Sequence, residues 1–106
     1  MKMEFIEVVT TLPSKEKAEE IGRLVIGRCL AACAQISGPI ESIYWWNKKM
    51  ETGREWVLTL KTKRALYREV ETLIRKVHPY RVPQIIALPI IEGYSEYLKW
   101  IEEEVK

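Results

Sequence analysis

Leu30-Ala31-Ala32-Cys33-Ala34-Gln35-Ile36-Ser37-Gly38-Pro39-Ile40-Glu41-Ser42-Ile43-Tyr44-Trp45-Trp46 is the stretch that decides the fold. It is too rich in β-branched and aromatic residues to be helical, and Ser37-Gly38-Pro39 interrupts it midway as a bulge or bend would. One long or kinked strand is the reading. Asn47 to Gly53 is polar and turn-like, and the chain then returns through Trp56-Val57-Leu58-Thr59-Leu60, where Trp56, Leu58 and Leu60 alternate with residues of the other face. The two segments form a long β-hairpin with Tyr44, Trp45 and Trp46 gathered near its tip.

Helices flank this hairpin. Upstream, Ser14 is placed to cap a helix from Lys15 to about Cys29, with Ala18, Ile21, Gly22, Val25 and Cys29 on one face at helical spacing. Gly22 lowers helix propensity there and marks a close approach to the sheet. Downstream, Thr62 is placed to cap a helix from Lys63 to Val77, whose apolar stripe is Leu66, Val70, Leu73, Ile74 and Val77. Pro79 ends it, because the residue before a proline is pushed out of the helical region. Outside the helices lie two more strands, Glu4 to Thr10 and Gln84 to Ile91, and Pro89 gives the latter an edge position or a bulge. Tyr94 to Val105 closes the chain as a helix that packs through Tyr94, Tyr97, Leu98, Ile101 and Val105.

The order is β-α-β-β-α-β plus a C-terminal helix, an α+β chain of the split βαβ, ferredoxin-like kind. Residues 1–106 read as one domain. Two helices on one sheet face leave the other bare, although the strands carry apolar residues on both sides. That surface and the aromatic hairpin require self-association.

Seventeen Lys and Arg against 15 Asp and Glu give a net charge of only +2, with both signs interspersed. A surface built to neutralise many phosphates is excluded by that balance, and so is nucleic-acid binding. The third strand also lacks the glycine-and-aromatic pattern by which RNA-recognition motifs of the same element order stack bases. No charged-then-apolar leader opens the chain, no run reaches membrane-spanning length, and two cysteines are expected to stay free, reduced and buried. A cytosolic protein without membrane contact follows.

No enzyme is expected. The sequence has one histidine, no nucleophile elbow and no Walker loop, and the loop Thr10-Thr11-Leu12-Pro13-Ser14 lacks the arginine that an acylphosphatase needs. His78 reads as a helix-terminal histidine that interacts with exposed carbonyls and positions the Pro79-Tyr80 turn. Core or interface packing accounts for all four tryptophans. A second candidate is a small-anion site, because Lys48, Lys49, Arg54, Lys61, Lys63 and Arg64 cluster around the hairpin and the following helix start.

The segments Cys29-Leu30-Ala31-Ala32-Cys33-Ala34-Gln35-Ile36, Ser42-Ile43-Tyr44-Trp45-Trp46, His78-Pro79-Tyr80 and Ile85-Ile86-Ala87-Leu88-Pro89 resemble, in that order, the CutA family of divalent cation tolerance proteins. Nearly the whole chain falls into register. The resemblance implies a homotrimer related in structure to PII signalling proteins and a part in the response to divalent metal ions such as copper. It also implies copper ligands at a cysteine position matched here by Thr10 and at a histidine pair matched by Val77 and His78. Only His78 retains a donor, so the expected metal site is His78 with weakly held Cu(II) or another divalent cation. The alternative is a PII-like sensor or scaffold that binds a small anion or a partner protein.

Overall fold

The computed structural model describes residues 4–106, so the first three positions of the expected 1–106 domain lie outside the described residues. The elements run β1 (Phe5–Leu12), α1 (Lys15–Gly27), β2 (Cys33–Trp46), β3 (Lys49–Lys63), a 3-10 turn (Arg64–Leu66), α2 (Tyr67–Val77), β4 (Ile85–Pro89) and α3 (Ser95–Glu104). The strands form one sheet in the order β2-β3-β1-β4, with every pairing antiparallel. β3 thus separates β1 from β2, which is the split βαβ, ferredoxin-like topology expected. As Pro89 indicated, β4 lies at the edge and pairs only with β1.

The core lies between one sheet face and the helices α1 and α2. Strand alternation aims Ile6, Val8 and Leu12 at that side, where Leu58 and Leu60 join them beneath Ala18, Ile21 and Val25 of α1 and Val70 and Ile74 of α2. A side chain at Gly22 would stand 3.3 Å from Leu58 Cδ1 and 3.4 Å from the Ala34 Cβ, which is the close approach the sequence indicated. Ser14 caps α1, its Oγ accepting from the Lys17 N–H at 3.1 Å.

The far end of α1 departs from expectation. The helix stops at Gly27, and Cys29 turns left-handed at φ 57. The Cys29 N–H then donates to the Ile26 carbonyl and the Leu30 N–H to the Val25 carbonyl, a Schellman arrangement that ends the helix. Cys29 is consequently exposed rather than buried, and Cys33 is half-buried; both thiols are free.

Two other boundaries shift for identifiable reasons. The hairpin turn is only Asn47-Lys48, both with positive φ (49 and 64), the pattern of a type I′ connection. Met50 to Arg54 are strand, and Glu51, Thr52 and Arg54 among them are polar because that part of the hairpin has no core beneath it. Thr62 does not cap α2: pairing with β1 extends as far as Lys63, and the buried Thr62 hydroxyl donates to the Leu30 carbonyl at 2.6 Å. The second helix starts only at Tyr67, after the 3-10 turn. Tyr94 is 73% exposed and does not pack as expected, although Ile101 of the same helix region is fully buried.

The second sheet face is not bare. α3 crosses it, with Tyr97 beside Cys33 and Glu7, in the row where Cys33, Lys61 and Glu7 pair across three strands. Ile86 and Leu88 on β4 remain exposed.

Candidate functional site

Four parts of the chain converge on the loop that follows α2. His78 ends the helix: its N–H donates the last helical bond to the Ile74 carbonyl, and the following proline holds it extended at ψ 134. The imidazole then turns away from its own helix toward β1. Nε2 lies 2.9 Å from the Thr11 carbonyl oxygen, and Nδ1 lies 3.1 Å from the backbone nitrogen of Tyr80. A carbonyl can only accept and an amide N–H can only donate, so the hydrogen sits on Nε2 and the lone pair on Nδ1. His78 therefore positions the Pro79-Tyr80 turn, and the carbonyl it binds belongs to β1 instead of to α2.

Tyr80 continues the chain of contacts. Its ring lies 4.9 Å from that of His78, tilted by 50°, and its hydroxyl donates to Glu55 Oε2 at 2.8 Å. Burial, then the Glu55 hydrogen bond and charge, then nearby Tyr44 push the phenol well above its ordinary range. Next along the loop, the Arg81 guanidinium stands 5.5 Å from the ring of Trp46 on the hairpin. Trp46 and Tyr44 share one hairpin face, whereas Trp45 points to the other, as strand alternation requires.

The His78 imidazole is held neutral. Burial lowers its pKa, the Thr11 hydrogen bond and the Glu55 carboxylate oppose that lowering, and Lys17 adds to it. With both ring nitrogens engaged, the arrangement is a hydrogen-bonded aromatic brace that ties β1, α2, β3 and the hairpin together. Among the described residues, both hydrogen-bond partners of the imidazole are backbone groups.

The donor set does not make a resident metal centre within the chain. Among the described residues, no group of three or more His, Cys, Asp or Glu is arranged to hold an ion. Thr10, at the position matched to a cysteine ligand, is fully buried, and its hydroxyl has no hydrogen-bond partner among the described residues. Of the cations expected to surround an anion, two are engaged by neighbouring side chains: Lys61 donates to Gln35, and Lys63 pairs with Glu102. Sequence reasoning found His78 and Tyr80 through the His-Pro-Tyr run. It missed Glu55 and the Arg81–Trp46 pair, since both partnerships span distant segments and carry no local signal.

Comparison with known proteins sets this brace in context. A CutA protein of Archaeoglobus fulgidus, named for divalent-cation tolerance, is 38% identical over 99 residues, covering 93% of this chain and 96% of its own. The chloroplastic CutA 1 protein of rice, Oryza sativa subsp. japonica, is 38% identical over 101 residues; the match covers 95% of this chain but 57% of the rice protein. The crystal structure of CutA1 from the psychrotrophic Shewanella sp. SIB1 superposes with a TM-score of 0.95 at 36% identity, covering 99% of this chain and 98% of that one. The family model for the CutA1 divalent ion tolerance protein matches residues 6–104, and this chain belongs to that family.

Proposed function

We propose that the chain serves divalent cation tolerance as a homotrimer of CutA-type domains, without catalysing a reaction of its own. The observation that carries this reading is the family match over residues 6–104. Apolar surface supports the assembly: Ile43, Trp45 and Met50 share one hairpin face and are 64%, 71% and 66% exposed. Isolated side chains of this size need no partner, but three on one projecting face do.

Copper(II) is the proposed cation and His78 its proposed ligand, in a weak complex. Coordination through Nδ1 displaces the Tyr80 N–H, and neither Thr10 nor Val77 adds an imidazole or thiolate. The cytosol is the proposed location. Among the described residues no helix is long and apolar enough to cross a membrane, while relatives carry the names chloroplastic and periplasmic.

The test is growth of a host lacking its own family member under copper challenge, with and without this chain. Restored growth is expected. Unchanged sensitivity with the folded protein present in the cells would overturn the tolerance reading. Sedimentation of the purified protein decides the assembly, a folded monomer at micromolar concentration being the contrary result.

A further inference from the structure

The sequence pointed to an anion site at the hairpin, where Lys61 and Lys63 are engaged by Gln35 and Glu102. Other cations are brought together on the helical side. Arg68, Thr72 and Lys76 of α2 recur at every fourth residue, which places them along one stripe about 12 Å long. They line a cavity of about 360 Å³, joined from other segments by Arg28 and Lys106. Arg28 is held there as the C-cap of α1, and Lys106 by its N–H bond to the Cys29 carbonyl at 3.0 Å. Leu30 and Leu73, both buried, also line the cavity and give it an apolar floor.

Four cations thus meet one side-chain carboxylate, that of Glu69, which is engaged by Lys106 at 3.0 Å. Arg28, Arg68 and Lys76 make no ion pair among the described residues. Arg28, Arg68 and Lys76, gathered without a counter-charge of their own, repel one another, and an anion with several charges relieves all of those repulsions at once. A lone phosphate cannot reach along the stripe, whereas a chain of linked phosphates can. Guanidinium groups meet such oxygens in pairs, and the Thr72 hydroxyl adds a donor between the two cationic ends.

We infer that this groove binds a small oligophosphate, either free or as the phosphate tail of a nucleotide. It shares no residue with the His78 brace and involves no metal. Its concave shape suits a small molecule rather than a nucleic-acid strand, consistent with the chain's slight net charge of +2.

Calorimetry with sodium tripolyphosphate, in buffer containing a chelator, tests the inference independently of any cation role. Saturable binding of one ligand per chain is expected. Arg68→Gln combined with Lys76→Gln should weaken it at least about tenfold, the worth of one charge-assisted contact. Glu69→Gln, which removes the competing carboxylate, should strengthen it, and Lys48→Gln with Lys49→Gln at the distant hairpin turn should leave it unchanged. All of these side chains are exposed, and circular dichroism checks that the variants remain folded. If the double variant does not fold, the Glu69→Gln result decides. ATP binding tighter than tripolyphosphate assigns the site to nucleotides, and equal binding assigns it to the phosphate chain alone; both support the groove. The inference is overturned by absent or non-saturable binding, by sulfate binding as well as tripolyphosphate, by a double variant that binds like the parent, or by a single-stranded oligonucleotide that outcompetes tripolyphosphate.

Discussion

The Tyr80 hydroxyl donates to Glu55 Oε2 across 2.8 Å and so fastens the loop after α2 to β3, beside the hairpin bulge. A hydrogen bond to a charged acceptor contributes about 1.5–3 kcal/mol, with partial exposure favouring the lower end. Tyr80→Phe should lower stability by about that lower figure in denaturant titration. Alkaline absorbance, read as parent minus Tyr80→Phe, should show this phenol ionising well above the usual ~10. Glu55→Gln should bring it only part of the way down, because burial is the first cause of its elevation and persists in the variant.

Protonation of His78 opposes the fold. Its pKa is lowered on folding, so the native state favours the neutral imidazole; the stabilisation is complete above the unfolded value of ~6.5. As pH falls below that value, stability declines until the lowered folded pKa is passed and then levels off. In denaturant midpoints measured over this range, His78→Gln should lose that decline, narrowing its deficit relative to the parent toward acid pH. His78→Ala strands the Thr11 carbonyl and the Tyr80 N–H and should cost about 1–3 kcal/mol at neutral pH. A constant difference between parent and His78→Gln across the whole range would refute the assignment.

Gly38 and Gly27 should respond oppositely to alanine. Gly38 has φ +150, and a Cβ there would lie 2.7 Å from Trp56 Cδ1 and 3.1 Å from the Glu55 carbonyl. Gly38→Ala should therefore destabilise by about 1–3 kcal/mol. A Cβ at Gly27, in the last turn of α1, would meet nothing within 4 Å, so Gly27→Ala should stabilise by about 0.5–1 kcal/mol. Thermal melts of both variants check the pair, and equal signs would contradict it.

Cys29 offers a further contrast. It is exposed and left-handed, whereas Cys33 is half-buried beside Tyr97. A thiol reagent should modify Cys29 first. Cys29→Gly should keep the helix end and gain up to about 1 kcal/mol, since glycine adopts that conformation without strain. Slower labelling at Cys29 than at Cys33, by mass spectrometry of digests, would be the contrary result.

Periodicity made the helices legible in the sequence: Ala18, Ile21 and Val25 on α1 and Val70, Leu73 and Ile74 on α2 are core residues because their spacing matches one face of a helix, whereas β1 runs on to a buried Leu12 beyond the expected end at Thr10. Pro79 and Pro89 marked an end and an edge through what proline cannot do. The misplaced features depended on partners distant in sequence. Thr62 looks like a helix cap until β1 is seen to pair past it, and Cys29 continues a helical stripe until a Schellman turn lifts it out. His78 was found as a residue; its two hydrogen-bond partners were only half foreseen, because Thr11 lies 67 residues away.

The bulge between Ser37 and Ile40 divides the hairpin into two regimes. On the inner side, Ala34 and Ile36 pack against the core; on the outer side, from Ile40 to Arg54, nearly every residue faces solvent, and the described chain extends to 44 Å along its longest axis. Backbone amides in the outer half are consequently shielded by cross-strand bonds alone. Their deuterium uptake acts as a gauge of occupancy, rapid while the arm is free and slow once another surface clasps it, with the inner half serving as the built-in reference.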